Sequence, residues 1–243
     1  MIAAMATARA TALPSGRPRL RVATRSGSVR LVAEERADIL FETRKPWIVD
    51  VRVDGDGVVW PELDRDSRSL EVRCPRGTGV VVGTASGSVA LEGEFGHVSV
   101  STESGTIRLD RAESADLRSS SGSIEVEGCG ERCRVSTQSG KAVIGAAGAT
   151  EVDTVSGSIV LEGAAGGVRA RSASGSVEVR TTGKHDVAVE TLSGKVRVRV
   201  PTEVKPAAAL KSLSGRRVFD CEAGSDCCVA VRTMSGSIEV IPD

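Results

Sequence analysis

Residues 150–161 read TEVDTVSGSIVL, and the fold is written in that stretch. Before Ser156 the apolar or small residues Val152 and Thr154 alternate with the charged Glu151 and Asp153; after it Ile159 and Leu161 alternate with Ser158 and Val160. Alternation with period two marks a strand with one buried face. The parity changes across Ser156-Gly157, because inward positions are even offsets before the Ser and odd offsets after it. The chain must therefore bend there, and glycine is the residue expected at such a corner for its free backbone torsions.

The same pattern recurs along the chain. Ser-Gly stands at Ser86, Ser104, Ser121, Ser139, Ser156, Ser174, Ser193, Ser214 and Ser235, so the corner glycines are Gly87, Gly105, Gly122, Gly140, Gly157, Gly175, Gly194, Gly215 and Gly236. Steps of 17–21 residues separate them. An outlying copy, Ser26-Gly27, precedes the series. Two before the Ser is always Thr or Ser, and four before is always apolar. Three after is β-branched except at Ala142 and Arg217. Stacked parallel coils and a meander of hairpins both place Ser-Gly at a turn; the irregular second corners, such as Ala164–Gly167 and Thr181–Asp186, favour coils. The reading is all-β: a single-stranded parallel β-helix, or β-solenoid, of about nine coils over residues 78–243.

Residues 1–19 read as a flexible N-terminal tail and 20–77 as an N-terminal β region, an opening coil followed by an antiparallel flap turning at Asp54–Gly57. The first twenty residues lack a basic start before an apolar run, so the expected compartment is cytoplasmic unless the start codon is misassigned. No stretch approaches the apolar length of a membrane span.

Composition narrows function. Thirty-two basic and 32 acidic residues cancel, which removes the global field that draws a protein to nucleic acid. Aromatic residues are 2% of the chain, with no Tyr, which disfavours carbohydrate as a ligand.

The runs VSTESGTIRL, RSSSGSIEVEG, DTVSGSIVLEG, RSASGSVEV and RTMSGSIEV resemble the bacterial putative-adhesin family of Ser-Gly β-strand repeats, a domain of unknown function. The resemblance covers about residues 20–243. It implies a right-handed β-helix and transfers no catalytic site.

The residues themselves supply no enzyme, cofactor or metal site. His97 and His185 fall five coils apart, roughly 24 Å at ~4.8 Å per coil. A Ser99–His97 pair has no orienting acid in sequence. Asp54-Gly-Asp-Gly57 lacks the remaining ligands of a calcium loop. Cys129 and Cys133, and the group Cys221, Cys227 and Cys228, lack zinc-ribbon spacing, although the second group flanks one corner where it could bind a metal or cross-link. Cys133 sits at an inward offset and reads as core.

The resulting expectation is a non-catalytic structural or protein-binding module that meets a partner, or itself, through a lateral face. The alternatives are a cytoplasmic scaffold polymerising end to end and, further off, a polysaccharide-acting β-helix enzyme. The residue just before the corner Ser becomes apolar on five coils: Val155, Ala173, Leu192, Leu213 and Met234. That column, bordered by Glu190, Lys211 and Arg232, is the candidate partner face. The longer corners near residues 201–209 and 221–228 could instead fold over it.

Overall fold

Alternating burial along each strand is what the stacked coils are built on. The computed structural model describes residues 6–10, 18–43, 48–53, 58–63 and 69–243, with no helix among them. The chain is an all-β parallel solenoid. It divides into two compact units, Met1–Gly122 and Ser123–Asp243.

In the first unit, β1 (Ala6–Ala10), β2 (Arg19–Thr24), β3 (Val29–Glu34), β4 (Ile39–Thr43), β5 (Ile48–Val53), β6 (Val58–Leu63) and β7 (Leu70–Pro75) precede the regular coils. Then come β8 (Gly79–Thr84), β9 (Val89–Thr102) and β10 (Ile107–Ser119). The outlying Ser26-Gly27 copy joins the stack. β2 and β3 pair in parallel with β8 and β9, Thr24 facing Thr84 and Leu31 facing Leu91. On their other side they pair in parallel with β6 and β7, so the opening coil sits between two later segments. β5 runs antiparallel to β6, and β4 antiparallel to β7. Part of the expected tail is a strand: β1 pairs antiparallel with β4, because Ala10 is buried and Arg9 Nε lies 2.9 Å from Asp38 Oδ2. The Asp54–Gly57 turn lies outside the described residues.

The second unit carries β11 (Ile124–Thr137), β12 (Ala142–Thr154), β13 (Ile159–Ala164), β14 (Val168–Ser174), β15 (Val177–Thr181), β16 (Val187–Ser193), β17 (Val196–Val200), β18 (Ala207–Ser214), β19 (Arg217–Phe219), β20 (Cys228–Ser235) and β21 (Ile238–Pro242). Its core is columns of aliphatic side chains in register. Val135, Val152, Ala170, Val189 and Val231 form one, and Val126, Ile144, Leu161, Val179, Val198 and Val240 another, all buried. β11 and β12 run unbroken through the second corner, with a register shift between Cys129 and Arg132. From β13 onward that corner opens into a loop.

Coil order departs from chain order. β16 and β17 pair with β20 and β21, and β18 and β19 pair with the far side of those same strands. The final rung is thus an inner one, and the 207–219 coil forms the edge, not Ser235–Asp243. Longer connections allow this step out and back: residues 201–206 and 220–227 bond to each other through Gly224 N to Pro206 O and Asp226 N to Lys205 O. The odd residue of the repeat is then explained. Arg217 stands at an inward position, opposite Ile238, but on the last coil, where it is exposed and donates to Leu210 O at 3.5 Å. A charge there faces water rather than core.

The corner glycines are required by close approach more than by torsion. A Cβ on Gly87, Gly105, Gly122 or Gly157 would lie 1.9–2.0 Å from the carbonyl oxygen of the glycine one coil away, although none of these has positive φ. Only Gly175, Gly194 and Gly236 adopt φ of 144–155°.

Candidate functional site

Two kinds of corner build the site. At Gly87, Gly105, Gly122, Gly140 and Gly157 the amide donates back to the hydroxyl three residues earlier, on Thr84, Thr102, Ser119, Thr137 and Thr154, at 2.8–3.1 Å. These hydroxyls are buried, and the column is therefore turn structure rather than a surface array for water. At Gly175, Gly194 and Gly236 the amide turns instead to a neighbouring coil, donating to Ser193 O, Ser235 O and Ser214 O at 3.1–3.2 Å. Strands β14, β16 and β20 consequently run on through the corner Ser, and β18 follows in register with β20. The hydroxyls of Ser172 and Thr233 are left buried without a hydrogen-bond partner.

That switch puts Ala173, Leu192, Met234 and Leu213 into regular strand with their side chains outward. Val155 precedes them in the row. The spatial order is Val155, Ala173, Leu192, Met234, Leu213, because β20 lies between β16 and β18; the sequence order of the last two is reversed. Val155, Leu192 and Met234 are 54–55% exposed and Leu213 80%. The longer corners do not cover the row, since they pack against each other. It lines a depression of about 880 Å³ together with Asp153, Arg171, Glu190, Arg232, Lys211 and Arg217.

Beside the apolar row runs a charged one. Arg171 bridges Asp153 at 3.8 Å and Glu190 at 3.5 Å, pairs exposed enough to contribute little to stability. Beyond Glu190 the alternation of sign stops. Lys211 lies opposite Arg232, and neither makes an ion pair among the described residues. One end of the depression is cationic.

The remaining candidates do not converge. His97 Nδ1 lies 2.9 Å from Ser114 Oγ, not Ser99, on an exposed strand face. The 17-residue coil length places 114 beside 97, a relation readable from the repeat. Among the described residues no acid bonds the other ring nitrogen. Cys227, just before β20, is buried, Cys228 is exposed and Cys221 is half-buried. No group of three or more His, Cys, Asp or Glu side chains among the described residues is placed to hold a metal ion. Cys129 and Cys133 are both buried, and hydrogen bonding with Cys129 followed by burial pushes the Cys133 thiol up. No helix among the described residues is long and apolar enough to cross a membrane.

Stacked coils with tight glycine corners define a parallel β-solenoid. The chain belongs to the Toastrack DUF4097 family, whose model matches residues 62–222. It is similar in fold to a putative adhesin from Parabacteroides distasonis (12% identity, 98% of this chain and 97% of that one, TM-score 0.61). A putative adhesin from Parabacteroides merdae gives 11% identity, 96% and 95% coverage and TM-score 0.59. No curated protein matches the chain.

Proposed function

We propose that the chain is a non-catalytic interaction module that holds a protein partner on the row Val155, Ala173, Leu192, Met234 and Leu213. The observation that carries this reading is the exposure of that row, over half of each large side chain, inside a depression with charged borders. Contiguous exposed apolar surface rimmed by polar groups is the pattern of a contact site. Fully burying a Leu or Met stabilises by roughly 1.5–3 kcal/mol; from a half-exposed start each contributes about 1 kcal/mol. Similarity to proteins described as putative adhesins supports interaction over turnover.

The test is the double variant Leu192→Glu with Leu213→Glu. Both side chains face solvent, so the variant is expected to melt as the parent does and to lose partner capture or self-association. A variant that unfolds would make the row part of the core. One that folds and still associates normally would remove it as the contact face.

A further inference from the structure

β18 is the open edge of the second unit. Among the described residues it pairs on one side only, with β20, and the coil it belongs to is incompletely covered: Leu210 and Phe219 are only half-buried and Ala207, Ala208 and Ala209 are exposed. Ala207 N donates to Cys227 O. In a parallel ladder successive residues face opposite sides, so the N–H groups of Ala208, Leu210 and Ser212 face the free edge. These N–H groups, which have no partner among the described residues, lie beside uncovered apolar side chains and form a template for another strand, although the Leu210 carbonyl on the same edge accepts from Arg217.

The chemistry of that strand follows from the charged row. Ion-pair alternation from Asp153 through Arg171 and Glu190 ends in two cations in register, Arg232 and Lys211. Like charges directly opposite are unfavourable, and an acid on the next rung would relieve them. Two residues further on, Leu213 ends the apolar row at 80% exposure. We propose that β18 accepts a strand donated by a different polypeptide, with an acidic residue beside Lys211 and an apolar one beside Leu213. This deepens the proposed function, since the added strand continues the same row. A second copy is the poorer occupant, because a two-fold antiparallel pairing of identical edges gathers Lys211, Arg216 and Arg217 of both copies along one seam.

The probe is a fluorescent peptide copying Val187–Ser193, VAVETLS, whose Glu and Leu hold those two positions, with a control in which Glu is replaced by Lys. Titrated with the full chain, the acidic peptide is expected to bind at least about tenfold tighter than the control. Lys211→Glu should invert that preference. Ala208→Pro removes only an edge-facing N–H and should weaken both peptides while leaving the melting temperature within about 3 °C of the parent. Leu192→Glu, two rungs inward, should leave peptide affinity unchanged. No binding, or binding indifferent to Lys211 and Ala208, overturns the edge proposal and leaves the row to be judged by partner capture. Loss with Leu192→Glu alone places the peptide in the row and overturns the edge. A parent dimer that Ala208→Pro converts to monomer makes the occupant a second copy and also overturns it.

Discussion

A methyl group on Gly157 would lie 1.9 Å from the carbonyl oxygen of Gly140, the glycine one coil below. No side chain relaxes to relieve a clash with backbone, and the same approach recurs at Gly87, Gly105, Gly122, Gly175, Gly194, Gly215 and Gly236. Gly157→Ala is therefore expected to destabilise the second unit by roughly 2–4 kcal/mol, whereas Val155→Thr, two residues away and 55% exposed, changes it by less than about 0.5 kcal/mol. Denaturant titration of the two variants checks this. Equal midpoints would show that the coils can part at the corner without penalty.

The two corner types make a second contrast. Thr102 Oγ1 accepts the Gly105 amide at 2.9 Å, so Thr102→Val strands a buried donor and should lose about 1–3 kcal/mol. Thr233 Oγ1 is buried with no partner, so Thr233→Val, nearly the same shape, should be neutral or stabilising. A larger loss at Thr233 than at Thr102 would contradict the assignment.

Cys74 is fully buried, and burial pushes its thiol up to about 11. The folded state keeps the proton that the unfolded chain releases near pH 9. Stability at Cys74 is thus intact below about pH 8.5 and falls as pH rises toward 11, by on the order of 2 kcal/mol. Cys74→Ala should flatten the fall between pH 9 and 11 in chemical denaturation, after allowance for the matching slope from Cys133. An unchanged slope would mean that Cys74 ionises as easily folded as unfolded.

Much of this architecture is legible in the repeat. Offsets from the corner Ser place Val152, Ile159 and Leu161 inward, and they are buried; the same offsets place Leu192 and Met234 outward, and they are exposed. What the repeat cannot express is order in space. Each coil carries the same pairing surface, so nothing local distinguishes a coil laid on its predecessor from one laid a rung further out. Only the 21-residue steps around Ser214 hint that β18 passes over the place later filled by β20. The opening coil is inverted for the same reason: Thr24 meets Thr84 across 60 residues. The cationic end was hidden with it, because Lys211 and Arg232 become neighbours only through that exchange. Glycine's steric role at the corners is equally illegible in the sequence, since close approach leaves no signature separate from torsional freedom.

The most direct test of the lateral row as the contact face is site-specific photo-crosslinking in living cells. A photoreactive phenylalanine analogue at Met234, in the middle of the row, is compared with one at Arg180, outward on β15. The account predicts a discrete adduct from Met234 that is lost when Leu192→Glu and Leu213→Glu are added, and none from Arg180. Adducts of equal yield from both positions, or none from Met234, would contradict it.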